Sequence, residues 1–149
     1  MNLSRCPILL LLLFALFCSC HDEDREDIPP TDERTANFIV KYNDGSGIHP
    51  DYNAKVYIYY GIYSMDIAGF RYLPDGVLEY RGQEIVPDIA LSADGKEDVS
   101  LLLNNTEKVT VVVESSFYEG KIGITSYSPG DMSIKATFIF GGSLSPNIS

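Results

Sequence analysis

Side chains able to do chemistry are scarce in this chain, which has two histidines, three cysteines and no tryptophan among its 149 residues. Most histidine-based catalytic and metal constellations therefore cannot be assembled within one copy. His49 sits in the run Asp44-Gly45-Ser46-Gly47-Ile48-His49-Pro50-Asp51. A metal centre built from His49, Asp44 and Asp51 would need all three to converge, and the intervening glycines and proline provide no fixed face to aim them. The residues read as a loop histidine in solvent, with no metal. Asp94-Gly95-Lys96-Glu97-Asp98 offers carboxylates for calcium, but the alternating acid spacing of an EF-hand loop is missing and Lys96 opposes the charge, so a solvated turn is expected. No Gly-x-Ser-x-Gly elbow, phosphate loop or His-Glu-x-x-His run is present. Two acids downstream of Thr35 could meet in space as a glycosidase pair, yet such a pair needs a deep cleft, which a small sandwich rarely forms. The expectation is a protein without catalytic residues or cofactor.

Tyrosine is more informative. In the stretch 54–63, alternation places Ala54, Val56, Ile58, Tyr60 and Ile62 on one face and Lys55, Tyr57, Tyr59 and Tyr63 on the other. Flat rings at Tyr57, Tyr59 and Tyr63 could stack sugar rings or meet a protein partner, since tyrosine combines area with a hydroxyl. The competing arrangement has residues 64–92, which carry Phe70, Tyr72 and Tyr80, fold over the same face. Cross-strand aromatic pairing favours this second arrangement.

Cys6, Cys18 and Cys20 all fall within the first twenty residues, which carry Arg5 and then the apolar run 8–17. That run is short for a membrane span and fits the apolar region of a signal peptide. The ending Phe17-Cys18-Ser19-Cys20 resembles the lipobox of bacterial lipoproteins, with small Ser19 before the cysteine that would be acylated; the family usually has leucine where Phe17 stands. The resemblance implies cleavage after Ser19, lipid on Cys20 and no disulfide in the mature chain. Several acyl chains, at about 0.8 kcal/mol per buried methylene, would hold the protein durably to a membrane. Behind Cys20 lie Asp22, Glu23, Asp24, Glu26 and Asp27, then Pro29-Pro30, Asp32 and Glu33, against Arg25 and Arg34. Such a run is an extended, self-repelling tether. It also resembles the acidic surface-export signal of lipoproteins from the Bacteroidetes phylum, which implies the outer face of the outer membrane, with the periplasmic leaflet as the alternative.

These features need a scaffold. At 45% hydrophobic and 21% charged residues the chain can bury one core, and a net charge of −10 argues against nucleic acid as a partner. Beyond Ala36 the apolar period is two, with candidate strands at 37–42, 54–63, 69–73, 77–81, 84–91, 98–103, 108–114, 121–127 and 132–140. Asn43-Asp44-Gly45, Pro74-Asp75-Gly76, Ala93-Asp94-Gly95, Asn104-Asn105 and Pro129-Gly130 supply reversals. The expected fold is all-β, a single antiparallel β-sandwich of about seven to nine strands, transthyretin-like or immunoglobulin-like. The expected organisation is a cleaved signal peptide at 1–19, lipidated Cys20 and tether at 20–35, and the sandwich at 36–149. Inward positions are Phe38, Val40 and Tyr42; Ala54 to Ile62 at every second residue; Val99, Leu101 and Leu103; Val109, Val111 and Val113; and Met132, Ile134, Ala136, Phe138 and Phe140.

Phe38-x-Val40 before a Gly-rich turn, Ala54-Lys55-Val56-Tyr57-Ile58, Ala93-Asp94-Gly95-Lys96 leading to Val99-Ser100-Leu101-Leu102-Leu103, and Val109-Thr110-Val111-Val112-Val113 together resemble the transthyretin-like or carboxypeptidase-regulatory-like sandwich. The stretch between Ile62 and Ala93 is longer than compact members carry. A fold of this kind hosts unrelated functions. The resulting expectation is a non-enzymatic surface lipoprotein, a binding or accessory module for a glycan or an outer-membrane protein complex. The alternative is a fimbrial or adhesin-like subunit, in which a trypsin-like cut at Arg34 would release the first strand.

Overall fold

The strongest alternation in the chain, Ala36-x-Phe38-x-Val40-x-Tyr42, lies in its longest strand, β1 (Glu33–Asn43). In the computed structural model, which describes residues 33–104 and 106–142, β1 is the spine of one sheet. Strand β11 (Ser133–Phe140) runs parallel to it, in register from Thr35 with Ser133 to Tyr42 with Phe140. Strand β8 (Asp98–Asn104) pairs antiparallel with 33–39, and the short β2 (Ile48–Pro50) folds back on Lys41 to Asn43. The second sheet is antiparallel, in the order β10 (Ile122–Tyr127), β9 (Val109–Glu114), β3 (Lys55–Tyr60), β7 (Ile89–Ser92).

The expected all-β sandwich is the fold found. Ala36, Phe38 and Val40 of β1 meet Val56 and Ile58 of β3 and Val109, Val111 and Val113 of β9, with Val99, Leu103 and Ile134 completing one buried cluster. Burying each such side chain is worth roughly 1.5–3 kcal/mol, so this cluster is the main source of cohesion.

A second cluster lies on the far side of the β3–β9 sheet. Residues 61–88 carry a 3-10 turn (Ser64–Ile67) and a small antiparallel sheet of β4 (Arg71–Tyr72), β5 (Leu78–Tyr80) and β6 (Gln83–Ile85). Ile67 and Leu78 from this insertion pack with Tyr57, Tyr59 and Val112. Arg81 and Gly82 close the β5–β6 hairpin with φ of 53° and 78°, and the left-handed conformation at both central positions is what a two-residue hairpin turn requires.

Four expectations are corrected. The predicted strand at 84–91 is two strands in different sheets, because Pro87 has no N–H to continue a ladder; beyond it the chain rejoins β3, where the Asp88 amide donates to the Ile58 carbonyl (2.8 Å). His49 belongs to β2 rather than to a loop. Gly61, at φ 74°, breaks the alternation of β3, so Ile62 joins the second cluster instead of the sandwich core, while Met132 is exposed. Strand β1 begins at Glu33, within the stretch 20–35 read as tether. The expected signal peptide and lipidated Cys20, and residues 20–32 of the expected tether, lie outside the described residues.

Candidate functional site

The three tyrosines expected to form one strip do not share a surface. Tyr57 and Tyr59 are 3% and 1% exposed beneath the insertion, which is the covered arrangement. The Tyr59 hydroxyl donates to the Gly76 carbonyl, and burial pushes its pKa well above the ordinary 10.0. Gly76 lies so close to Tyr57 that a methyl group there would run into the ring. Tyr63 is only partly covered; its hydroxyl donates to Ser128 Oγ (3.2 Å) and Lys108 Nζ sits 4.7 Å from its ring centroid.

What the covered face builds at its margin is a fixed carboxylate. Lys55 and Glu114 are directly opposed in the β3–β9 ladder. Glu114 Oε2 accepts from the Tyr72 hydroxyl (2.8 Å) and, more weakly, from the Tyr57 hydroxyl (3.3 Å). Burial first, and the Glu114 carboxylate next, raise the pKa of both phenols, so each keeps its proton and remains a donor. Lys55 Nζ also faces Asp75 Oδ1 at 3.7 Å.

Next in the chain after Glu114 comes a turn held from below. Asp51 is a buried acid that accepts from Ser115 Oγ (2.8 Å), from the Ser116 amide (2.9 Å) and from Ser116 Oγ. Ser115 Oγ in turn accepts from the amides of Phe117 and Tyr118 (3.2 and 3.1 Å). A buried carboxylate with this many donors is well satisfied and locks the turn. Between the two fixed groups opens a cavity of about 310 Å³ lined by Asn53, Lys55, Glu114, Ser115, Ser116 and Glu119. This polar cavity is the candidate site.

The other singled-out residues are placed as follows. His49 Nε2 lies 3.5 Å from Asp44 Oδ1 and 3.2 Å from Ser46 Oγ, whereas Asp51 is committed to the serine turn, so the three candidate metal ligands are not brought together. Asp94 and Gly95 form a tight reversal with φ of 50° and 80°, tied by the Gly95 amide to the Tyr52 carbonyl (2.8 Å). Among the described residues no three His, Cys, Asp or Glu side chains converge as a metal site.

Arg34 is fully buried, with Nη1 donating to the Ser128 carbonyl (2.7 Å) and Nη2 to the Glu107 carbonyl (2.9 Å). A trypsin-like protease therefore finds no accessible bond there in the folded protein. Sequence reasoning missed Glu114, Tyr72 and Asp51 as partners, because their pairing depends on strand register and on where the insertion lands. The sequence offers opposite charges at Lys55 and Glu114 as a signal, but only the β3–β9 register shows that they face each other.

Comparison with protein-family models, with curated proteins and with solved structures finds no match to this chain.

Proposed function

We propose that this protein is a non-enzymatic lipoprotein, anchored through Cys20 at the outer face of the outer membrane, whose sandwich serves as a binding or accessory module for a glycan or a protein partner. The observation that supports the binding role is the open polar cavity beside Glu114, part of whose lining is held in place before any ligand arrives, Glu114 by Tyr57 and Tyr72, and Ser115 and Ser116 by Asp51. Preformed polar groups around a small concavity are what ligand sites share, and their fixation lowers the ordering cost of binding. The anchor and its side of the membrane rest on Ser19-Cys20 after an apolar run and on the acids 22–27 behind it.

Protease added to intact cells tests the placement. The wild-type chain should be digested without lysis, and Cys20→Ala should lose its acyl chains by mass spectrometry while Cys18→Ala keeps them. Acyl chains found on Cys18, or a chain shielded until cells are broken, would remove the assignment.

A further inference from the structure

We infer that the cavity beside Glu114 takes a neutral, hydroxyl-rich ligand, one residue of an uncharged saccharide chain. This rests on the binding-module reading and names its ligand class. The lining interleaves acceptors, the carboxylates of Glu114 and Glu119 and the Ser116 hydroxyl, with donors, the Asn53 amide and Lys55 Nζ. Adjacent sugar hydroxyls present the complementary set, since each both donates and accepts. Glu119 can take two such hydroxyls through its two oxygens and Glu114 one through Oε1, its Oε2 being held by Tyr72 and Tyr57, and an amide or ammonium returns a donor to their lone pairs.

Charge narrows the class. Glu114 and Glu119 face a ligand within a molecule of net charge −10, and Lys55, the cation of the lining, is already opposed to Glu114 across the ladder and to Asp75 at 3.7 Å. Acidic sugars would meet uncompensated repulsion. A bare divalent cation lacks the three converging ligands it needs among the described residues.

Size narrows it again. A volume of about 310 Å³ stands at the small end of ligand sites, which span roughly 300–1,000 Å³, so it admits a single ring rather than a run of them. Among the described residues no aromatic ring lines the cavity, so selectivity comes from hydrogen bonds and the affinity is modest, with Kd on the order of 1 mM.

Saturation-transfer NMR on the mature lipidated protein in detergent micelles tests this directly. The probes are neutral gluco-, manno-, xylo- and galacto-oligosaccharides, with trigalacturonate as the acidic control and spermidine as the cationic one. At least one neutral oligosaccharide should bind, and trigalacturonate should not. Asn53 and Glu119 are exposed, so Asn53→Ala and Glu119→Gln should fold normally by circular dichroism and each weaken binding about fivefold or more. Leu102→Ala, on the opposite sheet, should leave binding unchanged. The inference falls if no neutral oligosaccharide binds, if spermidine or trigalacturonate binds in preference, or if both cavity variants bind like wild type. Protease digestion of intact cells separates the two proposals: silent oligosaccharides with a digestible surface protein overturn the ligand class alone, and a shielded protein overturns the surface placement alone.

Discussion

A phenol buried in a sheet is costly unless its hydroxyl finds an acceptor, and Tyr59 finds one in the Gly76 carbonyl. Tyr59→Phe leaves that carbonyl without its donor and should destabilise by about 1–3 kcal/mol. Tyr59→Ala also removes a ring that is 1% exposed, so its cost should reach roughly 3–5 kcal/mol, comparable with the roughly 2–5 kcal/mol expected for Ile58→Ala in the sandwich core. Denaturant melts of the mature protein measure all three. A Tyr59→Ala cost near zero would mean that the insertion does not seal this face. Gly76→Ala meets two penalties: a left-handed φ of 79°, roughly 1–2 kcal/mol for an L side chain, and a methyl driven into the Tyr57 ring, roughly 1–3 kcal/mol more. That variant should therefore be less stable than wild type by a margin the same melts resolve.

Among the elements, β1 couples the ends of the folded domain, because it lies between β11 and β8 and starts with a buried guanidinium. The aliphatic part of Arg34 packs while its two terminal nitrogens tie β1 to the carbonyls of Glu107 and Ser128, which precede β9 and follow β10. Arg34→Ala removes both charge-assisted bonds and the packing, with an expected loss of about 2–4 kcal/mol. Limited trypsin digestion followed by mass spectrometry gives a second reading of the same element. Exposed Arg81, at the tip of the β5–β6 hairpin, should be cut well before Arg34. Early cleavage after Arg34 would show that the first turn of β1 opens readily, as a releasable first strand requires.

At the scale of the whole molecule, protons and charge set the working range. Burial raises the pKa of Tyr57, Tyr59, Tyr72 and Tyr127 above the ordinary 10.0. The unfolded chain releases those protons near pH 10 while the folded chain keeps them, so their contribution is fully present below pH 10 and is lost as pH rises through the higher folded values. Melting temperature should thus fall above pH 10, and the share of phenolate absorbance that belongs to these four tyrosines should rise only together with unfolding. Replacing Asp22, Glu23 and Asp24 with Ala should leave the protein lipidated but remove it from the protease-accessible surface; unchanged digestion of intact cells would leave those acids a tether and no more.

Strand positions and most inward faces were legible locally, because a half-buried strand writes its burial into every second residue: Phe38 with Val40, Val56 with Ile58, and Val109, Val111 and Val113 all face the core as their alternation predicts. Composition and the Ser19-Cys20 ending likewise carried the expectations of a single core and an anchored chain without reference to any fold. Alternation says which two faces a strand has and leaves open what covers the second. Tyr57 and Tyr59 could be read either as a ligand platform or as a floor, and the choice was made by residues 61–88 folding back to bury Leu78 and Ile67 against them. The Glu114 cavity was equally unreadable along the chain. Tyr72 reaches its carboxylate from 42 positions away and Asp51 reaches Ser115 from 64, distances over which no local periodicity acts. Only strand register and the docking of the insertion bring those groups together, and both are set by burial summed over the whole molecule.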